Sequence, residues 1–126
     1  VKLLIDTHIY LWALAEPDKL HSNIRAALET PTNRVFVSSI VVTELMIKAS
    51  LGKLEINFDP LEMAEKTGFE LLSFTAEDAI LLKDMPFHHK DPFDRMLIAQ
   101  SLANKMQLVT EDKQFDLYDC QRLSVD

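Results

Sequence analysis

A chain of 126 residues, 48% hydrophobic and 26% charged, is long enough to bury a core and reads as one soluble globular domain spanning residues 1–126. Its net charge of −7, from 13 basic and 20 acidic residues, argues against a general nucleic-acid binder with a basic face, though not against an enzyme whose acids hold metal ions. Two glycines, Gly52 and Gly68, exclude a glycine-rich phosphate loop, and a single cysteine, Cys120, excludes an internal disulfide.

Lys2 to Ile5 is a short apolar run ending in Asp6, and predicts a strand buried on both faces. Thr7 can cap a helix from His8 to Ala15, stopped by Glu16-Pro17. Ser22 starts a second helix that ends near Thr30-Pro31. Arg34 to Ser38 predicts a strand, because Val35, Phe36 and Val37 favour one. Ser38 or Ser39 then caps a helix to Leu51, with Gly52 as its stop. Asp59-Pro60 opens a helix ending at Gly68, and Glu70 to Phe74 predicts a strand. Thr75-Ala76-Glu77-Asp78 is a capping-box start for a helix to Lys83. After the polar loop His88 to Lys90, Asp91 is an N-cap, Pro92 suits the first helical position, and a helix runs to Asn104. Gln107 to Thr110 predicts a strand, and Gln121 to Ser124 is a candidate for one more. Strands alternating with helices imply a doubly wound α/β fold, a parallel sheet flanked by helices in three layers. The longest apolar run, Ile9 to Ala15, is far short of the roughly 18 residues of a membrane span. With no secretion leader at the start and no disulfide, a cytoplasmic location is expected.

In an open parallel sheet, ligands gather beyond the carboxyl ends of the strands. Four acids fall there: Asp6 ends the first strand, Asp112 follows the strand Gln107 to Thr110, Glu44 lies about a turn into its helix, and Asp94 lies in the first turn of its own. Each has a plainer role open to it. Asp6 and Asp94 can cap helices, Glu44 can pair with Lys48 four residues on, and Asp112 can serve a turn. Asp91 reads as a cap and Asp116 as a surface residue. Four carboxylates packed together repel unless cations sit among them. Oxygen ligands select Mg²⁺ or Mn²⁺ over zinc, and such a site suits phosphodiester cleavage.

The remaining polar and aromatic residues point less sharply. His88 and His89 could touch phosphate or metal but read more readily as solvated loop residues, His8 can line the site or the surface, and His21 is uninformative. Tyr10 and Trp12 are expected to pack against the sheet or a partner rather than to stack bases, and Phe36, Phe69, Phe74 and Phe93 to form core. Cys120 has no histidine partner in view.

The stretches Leu3-Leu4-Ile5-Asp6-Thr7-His8, Ser38-Ser39-Ile40-Val41-Val42-Thr43-Glu44-Leu45, Asp91-Pro92-Phe93-Asp94-Arg95-Met96-Leu97-Ile98-Ala99-Gln100 and Leu108-Val109-Thr110-Glu111-Asp112 together resemble the PIN-domain ribonucleases, and among them the VapC-type toxins of bacterial toxin–antitoxin pairs. One such motif is weak; four in order over nearly the whole chain are fairly specific. The resemblance implies that Asp6, Glu44, Asp94 and Asp112 are the catalytic, metal-binding acids. It also implies that Thr110 orients Asp112 or holds a metal water. It further implies an Mg²⁺- or Mn²⁺-dependent endoribonuclease with an RNA substrate, a homodimer, and a cognate antitoxin whose basic segment fills the acidic groove. Lys48, Lys53, Lys90, Arg95 and Lys113 could hold RNA phosphates, or simply be solvated.

Two other readings compete. Phosphoryl transfer through Asp6 would need a second Asp two residues on, where His8 stands, or paired acids where Leu4-Ile5 stand. A non-catalytic dimer module could use the acidic groove only to bind a basic protein partner.

Overall fold

The computed structural model describes residues 1–87, 89–118, 122 and 123, and of residues 116 and 117 the backbone alone. Four strands alternate with six helices: β1 (Lys2–Ile5), α1 (Thr7–Ala15), α2 (Ser22–Glu29), β2 (Arg34–Ser38), α3 (Ser39–Ser50), α4 (Pro60–Thr67), β3 (Glu70–Leu72), α5 (Ala76–Ile80), α6 (Pro92–Asn104) and β4 (Gln107–Val109). The strands form one sheet in the order β3-β2-β1-β4, and every pairing is parallel. Leu3, Leu4 and Ile5 of β1 are all buried, as are Val35, Phe36 and Val37 of β2. Successive strand residues point to opposite faces, so both faces of the central strands are covered, as a three-layer fold requires.

The order of the strands fixes the position of the site. β1 lies between β2 and β4, so the chain grows outward in one direction through β3 and then returns to the far side of β1. That reversal makes the carboxyl edge between β1 and β4 the crevice of the sheet. Helix α6 feeds β4, so it must run back from the carboxyl edge, and its first turn starts there.

Three of the differences from the sequence expectation have a local reason. α1 starts at Thr7, because Asp6 is extended (φ −83°, ψ 177°) and its carboxylate accepts from Ile9 N; Asp6 is the cap in place of Thr7. β3 stops at Leu72, since the chain then turns to bond Phe74 N to Ser39 Oγ at 2.9 Å. α5 keeps its Thr75/Asp78 capping box but tightens into a 3₁₀ turn over Leu81–Asp84. Met85 is extended before Pro86, which disfavours helix at the preceding residue. The candidate strand Gln121 to Ser124 lies mostly outside the described residues. Within them, Arg122 makes a single parallel bridge to Leu108.

Other expectations hold. α6 spans Pro92–Asn104 behind an Asp91 cap, and Gly68 ends α4 in the left-handed conformation (φ 85°) that glycine adopts without strain. Tyr10 is fully buried and its hydroxyl donates to Pro60 O at 2.5 Å, tying α1 to the start of α4. Phe36 and Phe69 are core, while Phe74, Phe93 and Trp12 pack against it partly buried.

Candidate metal centre

Asp6 extends the β1–β4 ladder by one bond: its backbone N–H donates to Val109 O at 3.1 Å. The side chain is 7% exposed, and its Oδ1 is committed to Ile9 N at 2.9 Å. Beyond β4, the Thr110 hydroxyl accepts from Asp112 N at 3.0 Å and also hydrogen-bonds the Asp6 carboxyl. Thr110 therefore couples two acids that lie just past the ends of neighbouring strands. Asp112 Oδ1 caps the following 3₁₀ turn by accepting from Gln114 N, which leaves Oδ2 facing inward.

Glu44 arrives from α3. It is 6% exposed, and both oxygens are occupied: Thr7 Oγ1 donates to Oε1 at 2.6 Å, and Lys48 Nζ lies 2.5 Å from Oε2. The i, i+4 pairing and the inward position are thus both realised. Asp94 arrives from α6. Asp91 performs the capping, accepting from Phe93 N and Asp94 N through Oδ1, so the Asp94 carboxylate is released toward the cavity. Asp6, Glu44, Asp94 and Asp112 line one cavity of about 120 Å³, together with Thr7, His8, Lys48, Asp91 and Phe115. Four acids spread over more than a hundred residues of chain meet at one rim.

His89, which the sequence places in a solvated loop, is part of this site. Its side chain is 11% exposed, and Nε2 stands 3.0 Å from Asp94 Oδ2 and 3.3 Å from Asp112 Oδ2. Nδ1 accepts from Asp91 N at 3.2 Å, which places the ring proton on Nε2. His89 thus donates to two acids at once. Its place is fixed from far along the chain: His89 N donates to the Tyr118 hydroxyl, and the ring meets Phe115 edge-on. No local pattern announces contacts of that kind. Its neighbour His88 lies outside the described residues, as do the Asp116 side chain and Cys120.

Burial and the crowding of acids both act on these carboxyls. Burial first, and then the Asp91 charge, push the Asp94 carboxyl up to about 7, with Asp6 and Glu44 adding to the rise and His89 opposing it. Burial likewise raises Asp6, against the hydrogen bonds from Thr110 and Ile9. Lys48 is raised chiefly by its hydrogen bond to Glu44. A rim of this kind favours an added positive charge. Carboxylate oxygens are the hard donors that Mg²⁺ and Mn²⁺ prefer, so the residues fit such an ion. Ligand atoms of His89, Asp94 and Asp112 all lie within 4.8 Å of one another. With its proton on Nε2, however, His89 is a donor to the acids; of the four cavity acids, Asp94 and Asp112 belong to this close group, while Asp6 and Glu44 line the same cavity outside it.

Of the basic residues considered for phosphate, Lys48 alone lines this cavity. Arg95 is turned aside: it donates to Pro86 O and the Tyr118 hydroxyl and stacks over the Phe87 ring. Lys53, Lys90 and Lys113 are exposed.

Residues 3–119 match the PIN domain family model. The chain belongs to the PIN domain family. Solved structures with the same fold include VapBC2 from Rickettsia felis bound to a DNA fragment from its promoter. That match has a TM-score of 0.73 and 18% identity, and covers 98% of each chain. DNA-bound VapBC from Salmonella typhimurium matches with a TM-score of 0.71 and 20% identity, over 98% of this PIN chain and 97% of that one. VapBC-1 from nontypeable Haemophilus influenzae matches with a TM-score of 0.68 and 18% identity, over 99% and 98%. No curated protein matches the PIN chain in sequence. Among the described residues, no helix is long and apolar enough to cross a membrane.

Proposed function

We propose that this PIN chain, as one domain over residues 1–126, is an Mg²⁺- or Mn²⁺-dependent endoribonuclease of the VapC type, the toxin of a toxin–antitoxin pair. The observation that carries the reading is the convergence of Asp6, Glu44, Asp94 and Asp112 on one cavity at the crevice of the sheet. Its likeness in fold to chains solved as VapBC complexes supports the toxin assignment. A bound ion would lower the pKa of a water for attack at phosphorus and stabilise the leaving oxygen. The chain supplies the rest. Thr7 and Thr110 hold Glu44 and Asp112 in place, Asp91 keeps Asp94 free of capping, and Lys48 places a positive charge where a phosphate would approach.

The same reading places the protein in the cytoplasm as a homodimer, silenced by a cognate antitoxin whose basic segment enters the acidic cavity. Incubating the purified chain with a broad RNA panel tests the activity. Cleavage should require Mg²⁺ or Mn²⁺, stop with chelator, and vanish in Asp94→Asn and Asp6→Asn. RNA left intact with both ions across the panel would remove the nuclease assignment.

A second reading has its own support. Glu44 already pairs with Lys48, and His89 already donates to Asp94 and Asp112, so the cavity accepts cationic and N–H groups from protein. A non-catalytic acidic groove for a basic partner would show tight binding of a basic peptide and no response to millimolar Mg²⁺ or Mn²⁺.

A further inference from the structure

Beside the acidic cavity lies a second one, of about 230 Å³, lined by Asp6, His8, Ile9, Trp12, Glu111 and Asp112. The two share Asp6, His8 and Asp112, so anything seated in the second lies against the metal-binding acids. Its wall comes from α1: His8 and Trp12 are four residues apart, hence on one helix face, with ring centroids 5.9 Å apart. His8 is exposed, and Trp12 is half-buried with its packing against the core. Glu111 closes the other side. Its carboxylate is held by a long-range bond, with Oε1 accepting from His21 N at 3.1 Å. The volume is below the roughly 300 Å³ of drug-sized pockets and suits one planar ring.

We propose that His8, Trp12 and Glu111 form a subsite for one nucleobase, guanine, next to the phosphate held at the acidic cavity. The proposal rests on the nuclease reading, since the base belongs to the RNA strand whose phosphate is cut. Aromatic side chains stack any base, and that supplies affinity. Glu111 supplies the choice. A carboxylate only accepts, and guanine places two N–H donors side by side on its Watson–Crick edge. Uracil offers one donor flanked by two acceptors, whose lone pairs a carboxylate repels. Trp12, expected from sequence to pack against the sheet or a partner, here does so while lining an open cavity.

Trp12 is the only tryptophan in the chain, so its fluorescence reports directly on this cavity. The test titrates the intact protein, in Mg²⁺, with GMP, AMP, CMP and UMP, none of which has a phosphodiester to cut. GMP should change Trp12 emission at a concentration about tenfold below UMP, and Glu111→Gln should shrink that preference to within about twofold. The amide oxygen introduced by Glu111→Gln can still accept from His21 N, so the fold is kept. In RNA cleavage, Trp12→Phe should retain most of the rate and Trp12→Leu should raise KM about tenfold with kcat little changed. A protein that cleaves RNA, yet responds equally to all four nucleotides with and without Glu111, overturns the subsite and leaves the nuclease standing. A protein that cleaves nothing removes the nuclease reading, while a guanine-selective emission change in it would still support the cavity as a base site.

Discussion

Two helices of this chain begin alike and end up with different roles. α4 opens on Asp59-Pro60-Leu61-Glu62, and α6 on Asp91-Pro92-Phe93-Asp94. In each, the first Asp accepts from the next two free backbone N–H groups, Leu61 and Glu62 in one, Phe93 and Asp94 in the other. In each, proline takes the first helical position. The acids at the third position then part company. Glu62 is in solvent, paired with Lys66 at 2.8 Å. Asp94 is turned among Asp6, Glu44 and Asp112, with its carboxyl pushed up to about 7. The local chemistry is the same; the difference is that α6 starts at the crevice beside β1 and β4. Topology, not motif, puts the second acid in the cavity.

The sharpest way to break this comparison is to neutralise both acids. Asp94→Asn should lower RNA cleavage by about a hundredfold or more, since it removes an oxygen from the proposed metal-binding set, while Glu62→Gln should leave the rate within about twofold. Equal effects would mean the two helix starts do not differ in function. Metal binding sharpens it further. At a hundredfold excess over its Kd, Mg²⁺ should stabilise the wild type by about 2.7 kcal/mol in thermal unfolding. Glu62→Gln should keep that gain and Asp94→Asn should lose it.

The pH dependence of the metal-free protein follows from the same acid. Asp94 has a folded-state pKa of about 7 against an ordinary 3.8, so between those values the folded chain binds the proton more tightly than the unfolded one. Its contribution to stability therefore falls as pH rises from about 4 to 7 and is flat above. Asp94→Asn should flatten this window and be more stable than wild type at pH 8. An increase of about 1–2 kcal/mol is expected, discounted because Asp94 keeps some contact with water. Urea titrations at pH 5 and pH 8 check both the sign and the size.

The caps should differ in the same direction. Asp59→Ala should cost about 1 kcal/mol, as loss of an N-cap does. Asp91→Ala should cost less, because it also removes a charge that repels Asp94. Smallest of all, breaking the exposed Glu62–Lys66 pair with Lys66→Met should change stability by less than about 0.5 kcal/mol.

How much of the molecule is legible in its sequence follows from the same contrast. Element order, the parallel α/β class and the meeting of the four acids can be read because they depend on apolar runs, caps and the rule for strand ends. Asp6 shows the limit of choosing between roles: its pattern fits a ligand or a cap, and the structure makes it a cap through Oδ1 while it lines the cavity. Glu44 likewise keeps Lys48 and the cavity together. His89 reads wrongly as a solvated residue because, besides the nearby Asp91 N and Asp94, it is held by Tyr118 and Phe115. A loop residue fixed from more than twenty positions away leaves no periodicity to detect. Trp12 is legible as a packed side chain, but not as the wall of an opening, since one helix position can serve both.

The pairing of β1 with β4 also sets when the cavity can exist. The strand of its first wall, β1, is made well before β4, the strand of its last wall, which is complete only once residue 109 has been added. Until then a nascent chain carries Asp6, Glu44 and even Asp94 without the strand that brings Asp112 beside them. The proposed site therefore cannot assemble until that last strand has been made and has found its place beside β1.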